Sequence, residues 1–379
     1  MAGREWIKQM SFRREVMVLA EQPGANVWEI CRRFNISRET FYRWQRRWRQ
    51  RGDNGLMDNS RRPHHSPKQT VADMENKIVA MRHKFPSWGA RKIRTRLNVL
   101  GERELPTAST IHAILKRQGL VDPIESVKHQ AWQRFEHEAP NRLWQMDFKG
   151  WFATDDRQPC HPLTVLDDHS RYVVCLQACA NQRGETVRTH LTHTFRRYGL
   201  PARMTMDNGA PWGNDAEHRH TPLTVWLMQL GVSISHSRPY HPQTQGKDER
   251  FHRTLDLDLL QRQSFRNLMH VQQKFDPYRH VYNNERPHQA LGMAVPASRY
   301  QISTRRFPDT LPAIEYDSID IVRRVAAKGF IQFRRHIIHV GKAFYGYPVA
   351  VRPTTQDGVF DVYFCRHRIT QFDLHRILS

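Results

Sequence analysis

Apolar positions recur at helical spacing through the first third of the chain, switch to alternation after residue 141, and fall into short β-like runs after residue 311. Residues 12–21 carry one helical stripe and residues 26–34 a second, marked by Val27, Ile30 and Phe34. Asn35-Ile36-Ser37 follows as a tight turn, with Ser37 placed to cap a third helix from residue 38 to about 50. Phe41, Trp44 and Trp48 form its apolar stripe, while Arg38, Tyr42, Arg43, Arg46 and Arg47 point away from it. Two helices, a short turn and a basic second helix anchored by aromatics predict a helix-turn-helix, because a recognition helix must offer donors to base edges and phosphates along one face. A three-helix bundle with a solvated basic face is the structural alternative.

Residues 59–71 break the periodicity with Pro, Ser and basic residues, and Arg61 and Arg62 in this linker are placed to run along a phosphate backbone. The helical plan then repeats. A helix over 72–84, another beginning near Gly89 and a third after Pro106-Thr107 carry Ile111, Ile114 and Leu115 inward. Ser109, Thr110, His112, Lys116 and Arg117 face outward as the candidate readers of a second helix-turn-helix, and residues 122–140 form a polar connector.

From Asn141 the pattern predicts strands over 143–148, 163–166 and 172–176, the last two joined by a turn at Asp167-Asp168-His169-Ser170. A helix over 184–198 and a fourth strand over 202–206 follow, the strand running into Asp207-Asn208-Gly209. A helix near 223–230, a short strand over 232–234 and a longer helix starting near Lys247 complete the segment. Three antiparallel strands followed by alternating helix and strand is a ribonuclease-H-like α/β order.

Charge then narrows the partner. The 379 residues carry a formal net charge of +22, of which +12 falls in residues 1–140, +5 in 141–300 and +5 in 301–379. With 39% hydrophobic residues the chain can bury real cores, so it is not a basic disordered tail. No run approaches the roughly 18 apolar residues of a membrane span and no signal-peptide pattern opens the chain, so nucleic acid is expected rather than a membrane, in the cytoplasm. The five cysteines are scattered without a C-x2-C pair, which excludes a zinc ribbon and a disulfide framework, and Cys175 sits in an apolar run as a core thiol.

Acidic residues stand where phosphoryl-transfer chemistry needs them: Asp147 inside the first strand, Asp207 at the end of the fourth, and Asp248 or Glu249 at the start of the last helix. Two divalent cations about 4 Å apart require oxygen ligands from separate elements, one ion activating the attacking oxygen and the other stabilising the leaving one. At about 100° per residue, Asp248 falls on the stripe of Phe251, Leu255 and Leu259, whereas Glu249 shares the opposite side with Arg253.

These residues resemble a known family, the transposases of bacterial insertion sequences within the DDE and retroviral-integrase superfamily. The resemblance rests on Trp144-Gln145-Met146-Asp147, on Leu166-Asp167-Asp168-His169-Ser170-Arg171, on Asp207-Asn208-Gly209 and on the run from His241 to Arg250, with Tyr282-Asn283-Asn284-Glu285-Arg286-Pro287-His288 downstream. It implies Asp147, Asp207 and Glu249 as catalytic residues and metal ligands, with two Mg2+ (or Mn2+) ions as cofactor. One departure is the 41 residues between Asp207 and Glu249, more than is usual in the family, and the extra residues fall in the polar loop 211–221. Lys247, Arg250 and Arg253 are candidate phosphate contacts on the catalytic helix, while Asp167 and Asp168 read as backbone caps of their turn.

After residue 311, strands over 319–322, 329–333, 337–340, 349–351 and 359–364 predict a small all-β barrel. The expected molecule is therefore multidomain: helix-turn-helix regions at 1–58 and 72–121, a linker at 59–71, a connector at 122–140, a ribonuclease-H-like integrase core at 141–300 and a barrel at 311–379. The expected function is a DNA transposase that binds terminal inverted repeats, cleaves strands and transfers them into double-stranded target DNA. It would act as at least a dimer in the bacterial cytoplasm, associated with the nucleoid when bound to DNA. The competing readings are a DNA-binding regulator with an inactive core and a metal-dependent nuclease that does not join.

Overall fold

The computed structural model describes residues 2–58, 69–121, 136–213, 220–236 and 246–377, and it divides into two compact units, Met1–Gln69 and Thr70–Ser379. The first unit is helical. It contains α1 (Ala2–Ala20), α2 (Val27–Arg33) and α3 (Arg38–Arg51), followed by a 3-10 turn at Gly52–Leu56. Asn26 caps α2 by accepting from the Trp28 N–H, and Ser37 caps α3 by accepting from the Thr40 N–H. Val16, Met17, Ile30, Cys31, Phe41, Trp44 and Leu56 make the core. Gly55 is required there, since a Cβ would lie 2.1 Å from the Arg47 carbonyl oxygen.

The second unit opens with α4 (Ala72–Lys84), α5 (Ala90–Val99) and α6 (Ala108–Arg117), packed on Ile78, Trp88, Ile93, Leu97, Ile111, Ile114 and Leu115. Thr107 caps α6, and the Trp88 ring stacks on Phe85 at 4.1 Å. A mixed sheet follows, with β1 (Leu143–Phe148), β2 (Phe152–Ala153), β3 (Pro159–Asp167), β4 (Val173–Cys179), β5 (Arg203–Met206) and β6 (Ser233–His236). β3 pairs antiparallel with β1, β2 and β4, while β5 pairs parallel with both β1 and β6. The expected ribonuclease-H-like order is therefore present, with β2 as an added two-residue strand.

Helices cover both faces of this sheet. α7 (Gly184–Tyr198) and α8 (Pro222–Gln229) pack on one face around Trp144, Leu191, Phe195 and Trp226. α9 (Gly246–Asp258) and α10 (Leu268–Asn284) pack on the other around Phe251, Leu255, Phe275, Val173 and Leu176. Gly199 ends α7 at φ +75°, where a Cβ would lie 2.8 Å from the Arg305 carbonyl oxygen. The loop after β5 is anchored at both ends: Trp212 is buried and stacks on Phe148, and the Thr221 hydroxyl donates to the Pro211 carbonyl at 3.0 Å. Residues 214–219 of that loop lie outside the described residues.

The barrel expected over 311–379 is not what forms. β7 (Ile321–Arg324), β10 (Pro348–Pro353), β11 (Val359–Phe364) and β12 (His367–Asp373) make an open four-stranded sheet in the order β12-β11-β10-β7, while β8 (Phe330–Phe333) and β9 (His336–His339) make a separate hairpin. No sheet closes among the described residues. Closure is unnecessary because this lobe, ending in α11 (Leu374–Ile377), is covered by α8. Val225 and Met228 of α8 join Phe333, Phe344, Val351, Phe360 and Phe364 in one core. A helix apolar on every side has to be buried on every side, and α8 is buried between the sheet and this lobe. Arg305 pins the same junction by donating to the Leu230 and Gly231 carbonyls at 3.0 and 2.8 Å.

Candidate active site and nucleic-acid interface

β1 and helix α9 are tied together at three levels along their length. At the top, Lys247 Nζ donates to the Asp168 carboxylate, which also accepts from Gln145 Nε2 at 2.7 Å and from the His137 N–H at 3.0 Å. In the middle, the Thr164 hydroxyl donates to the Asp147 carbonyl at 3.0 Å and meets His252 Nε2 at 2.8 Å. Burial, with Lys149 adding to it, pushes His252 down to about 4 and keeps the ring neutral. At the bottom, Lys149 pairs with Asp256 at 2.7 Å.

This framework sets the carboxylates. Asp147 and Asp207 are half-buried, and Glu249, in the first turn of α9, is exposed. Burial, then the charge of Asp207 and more weakly that of Glu249, raises Asp147 to about 7 against the donated Phe148 N–H. Asp207 and Glu249 thus both lie within electrostatic reach of Asp147. Asp207 is held by the Gly209 N–H, which donates to its Oδ1 at 3.0 Å, and its carbonyl is 2.8 Å from His236 Nδ1. Asp248 points the other way. It is 1% exposed, neither carboxylate oxygen has a hydrogen-bond partner, and burial with the nearby charge of Asp147 raises it well above the usual range. The helical stripe separates the two acids as the sequence pattern indicates, Asp248 inward and Glu249 outward.

Among the described residues no three His, Cys, Asp or Glu side chains form a ready-made metal cage. An open set of carboxylates is nevertheless the donor chemistry that suits Mg2+, which commonly takes one or two carboxylates and completes its shell with water and substrate phosphate.

Two stretches, residues 137–242 and 230–296, match the model of the integrase core domain. Residues 320–377 match the IS481 family transposase C-terminal domain, residues 12–64 a helix-turn-helix domain and residues 40–115 a homeodomain-like domain. An insertion element IS407 protein of Burkholderia multivorans is 26% identical over 239 residues, covering 59% of this chain and 81% of that protein. The chain thus carries helix-turn-helix, integrase core and IS481 family transposase C-terminal domains and is similar to insertion-element proteins. The Gag-Pro-Pol polyprotein of Mason-Pfizer monkey virus is 31% identical over 120 residues, which are 31% of this chain but only 6% of the polyprotein. The HTLV-2 integrase catalytic core domain in complex with magnesium is 13% identical with a TM-score of 0.33, over 44% of this chain and all of that one.

The candidate DNA contacts are dispersed. On α3, Arg38, Tyr42, Arg43 and Arg46 are exposed. Arg47 is half-buried, and its guanidinium donates to the Met57 carbonyl, stitching α3 to the 3-10 turn. Arg61 and Arg62 lie outside the described residues. On α6, Ser109, Thr110, His112, Lys116 and Arg117 are exposed, with the Ser109 and Thr110 hydroxyls each 3.0 Å from Thr107 Oγ1 and Arg117 paired with Glu75 at 2.6 Å. On α9, Arg250 and Arg253 are exposed, whereas Lys247 is held on Asp168.

Asp168 departs most from its sequence reading. Asp167 caps the turn as expected, accepting from the Ser170 N–H at 2.8 Å and from the Asn141 N–H at 2.7 Å. Asp168 instead joins β1, the connector and α9, and that role has no local sequence signal because its partners are 23, 31 and 79 residues away. Beside it Arg171 and Arg299 both pair with Glu136, at 3.2 and 3.1 Å, closing an ionic network behind the carboxylates.

Proposed function

We propose that this chain is a DNA transposase that binds the terminal inverted repeats of its element, cleaves a strand at each end and joins the 3′-hydroxyl to target DNA, with Asp147, Asp207 and Glu249 as the catalytic carboxylates. The observation that carries the reading is that acids from the end of β5 and from the first turn of α9, Asp207 and Glu249, both act electrostatically on Asp147 in β1. Bound to them, one or two divalent cations would activate the attacking oxygen and stabilise the leaving one. The chain's own residues do the rest. Gly209 and His236 hold Asp207, Thr164 and His252 hold the Asp147 backbone, and Lys247 on Asp168 fixes the turn that presents Glu249. Arg250 and Arg253, exposed beside Glu249, are suited to neighbouring phosphates, and α3 and α6 to base edges and backbone. No Ser or Tyr nucleophile is needed for direct in-line attack by water and then by a DNA 3′-hydroxyl. Paired ends require at least two copies.

Asp207→Asn tests the reading. It should abolish strand cleavage and leave binding to repeat DNA intact, and undiminished cleavage would sink it. A pre-cut 3′-hydroxyl end supplied with plasmid and Mg2+ separates the nearest competitor: joined product supports a transposase, and nicks alone mean a nuclease.

A further inference from the structure

The helical module α4–α6 is fastened to the catalytic helix through a seam made almost entirely of polar contacts. Asp258, the last residue of α9, accepts from the Ser87 N–H at 3.0 Å and from the Ser87 hydroxyl at 2.8 Å, one bond to each carboxylate oxygen. Arg262, one turn on, donates to the His83 and Lys84 carbonyls at 3.0 and 3.4 Å, satisfying the open C-terminal end of α4. Arg96 of α5 pairs with Glu285 just past α10 at 2.5 Å, both side chains largely buried. Val281 of α10 packs into the module's apolar core, and Lys92 is enclosed between these contacts, near Asp258, Arg286 and Arg250.

Directional bonds of this kind define orientation more than they supply adhesion. The path they complete contains no flexible joint. α6 shares one core with α4 and α5, the module is bonded to Asp258, and Asp258 stands on the same helix as Glu249, nine residues or about 13 Å along a rigid rod. A reading helix held only by its covalent connector would leave the distance from read sequence to cut phosphodiester variable.

We propose that this seam is the ruler of the reaction: Asp258 and Glu285 act as positioning residues that fix which phosphodiester meets the carboxylates once α6 has engaged its sequence. The inference rests on the functional reading above and adds to it the determinant of cleavage position.

The test uses the full chain, Mg2+ and a labelled duplex carrying the inverted repeats that flank the coding sequence, with cuts mapped to the nucleotide and amide exchange measured over residues 82–100. Glu285→Arg places two cations at the seam. It should leave repeat binding unchanged, raise exchange in α5, and lower the ratio of the correct cut to its neighbours by about tenfold or more, the size of one lost charge-assisted pair. The charge swap R96E/E285R should restore both exchange and the single cut, whereas a merely structural seam would move exchange without moving the cut. Ser87→Ala, which removes one bond without altering charge, gives a smaller shift of the same kind and keeps the test decisive if Glu285→Arg fails to fold. Raised exchange in α5 with the single wild-type cut retained overturns the proposal. A wild-type chain that binds the repeat but never cuts overturns the transposase reading and this inference with it, and its exchange pattern still reports whether the seam exists.

Discussion

Asp168→Ala tests the scaffold that ties β1 to α9. The carboxylate is 1% exposed and accepts from Gln145 Nε2, the His137 N–H and Lys247 Nζ, and Lys247 itself keeps only 16% of its side chain exposed. Removing the acid strands three donors, one of them a cation whose charged form is already disfavoured by burial. Breaking a buried pair in this way costs about 3–5 kcal/mol, because the remaining charge has no compensation. Lys247→Met leaves Asp168 with two neutral donors and should cost less, about 1.5–3 kcal/mol, the range for a hydrogen bond to a charged group. The two changes should therefore not add. Urea unfolding of the two single variants and the double variant, followed by tryptophan fluorescence and by helical signal, gives a coupling energy expected at about 1.5–3 kcal/mol. A coupling below about 0.5 kcal/mol would show a pair no stronger than a solvated surface ion pair and would refute the claim that it fixes the start of α9.

Three further outcomes follow from the same physics. Arg43→Gln should weaken DNA binding and reduce the salt slope by about one, whereas Arg47→Gln, which loses the bond to the Met57 carbonyl, should lower the melting point of the N-terminal unit and leave the slope unchanged. Phe344→Ala should destabilise the C-terminal lobe by about 3–5 kcal/mol in denaturant titration, since the ring is fully buried against α8 and Phe364. Lys92 is pushed down to about 7 by burial and by Arg286 and Arg250, opposed by Asp258, with a neutral His288 close by. Docking of α4–α6 thus favours the uncharged amine, so protection of α5 amides should rise from about pH 7 toward its ordinary value near 10.5 and level off below 7; Lys92→Met should abolish that dependence, and pH-independent protection in the wild-type chain would count against it.

Helices with an unbroken apolar stripe were legible to within a residue or two: 72–84 and 184–198 coincide with α4 and α7, and Ser37 caps α3 as its position implies. α10 is harder to read because Pro277 stands inside it and interrupts the local helical signal, although the helix survives on Val271, Phe275 and Tyr282 packed under the sheet. The barrel failed for a different reason. Alternation reports that a strand has one buried face and is silent on what buries it, so β7, β10, β11 and β12 read the same whether they close on themselves or cover α8. At the candidate site the burial of Asp248 and the exposure of Glu249 were legible from helical phase, whereas Asp168, Glu136 and Asp258 act through partners far away in sequence.

Those distant pairings also change what the basic excess means. Near the carboxylates Lys149 is held by Asp256, Lys247 by Asp168, and Arg171 and Arg299 by Glu136, so these cations neutralise the scaffold's own acids. Arg96, Arg117 and Arg47 are likewise held by partners within the fold. A formal charge of +22 therefore overstates the phosphate contacts available to the chain. Because log K falls with log salt at about 0.9 per phosphate contact neutralised, the slope should count the exposed arginines of α3 and α9 and the basic side chains of α6 that engage DNA, and should lie well below the formal charge. It should also persist in Asp207→Asn, since none of those cations is bound to the carboxylates; a slope that collapses in that variant would mean that DNA is held chiefly through the metal site.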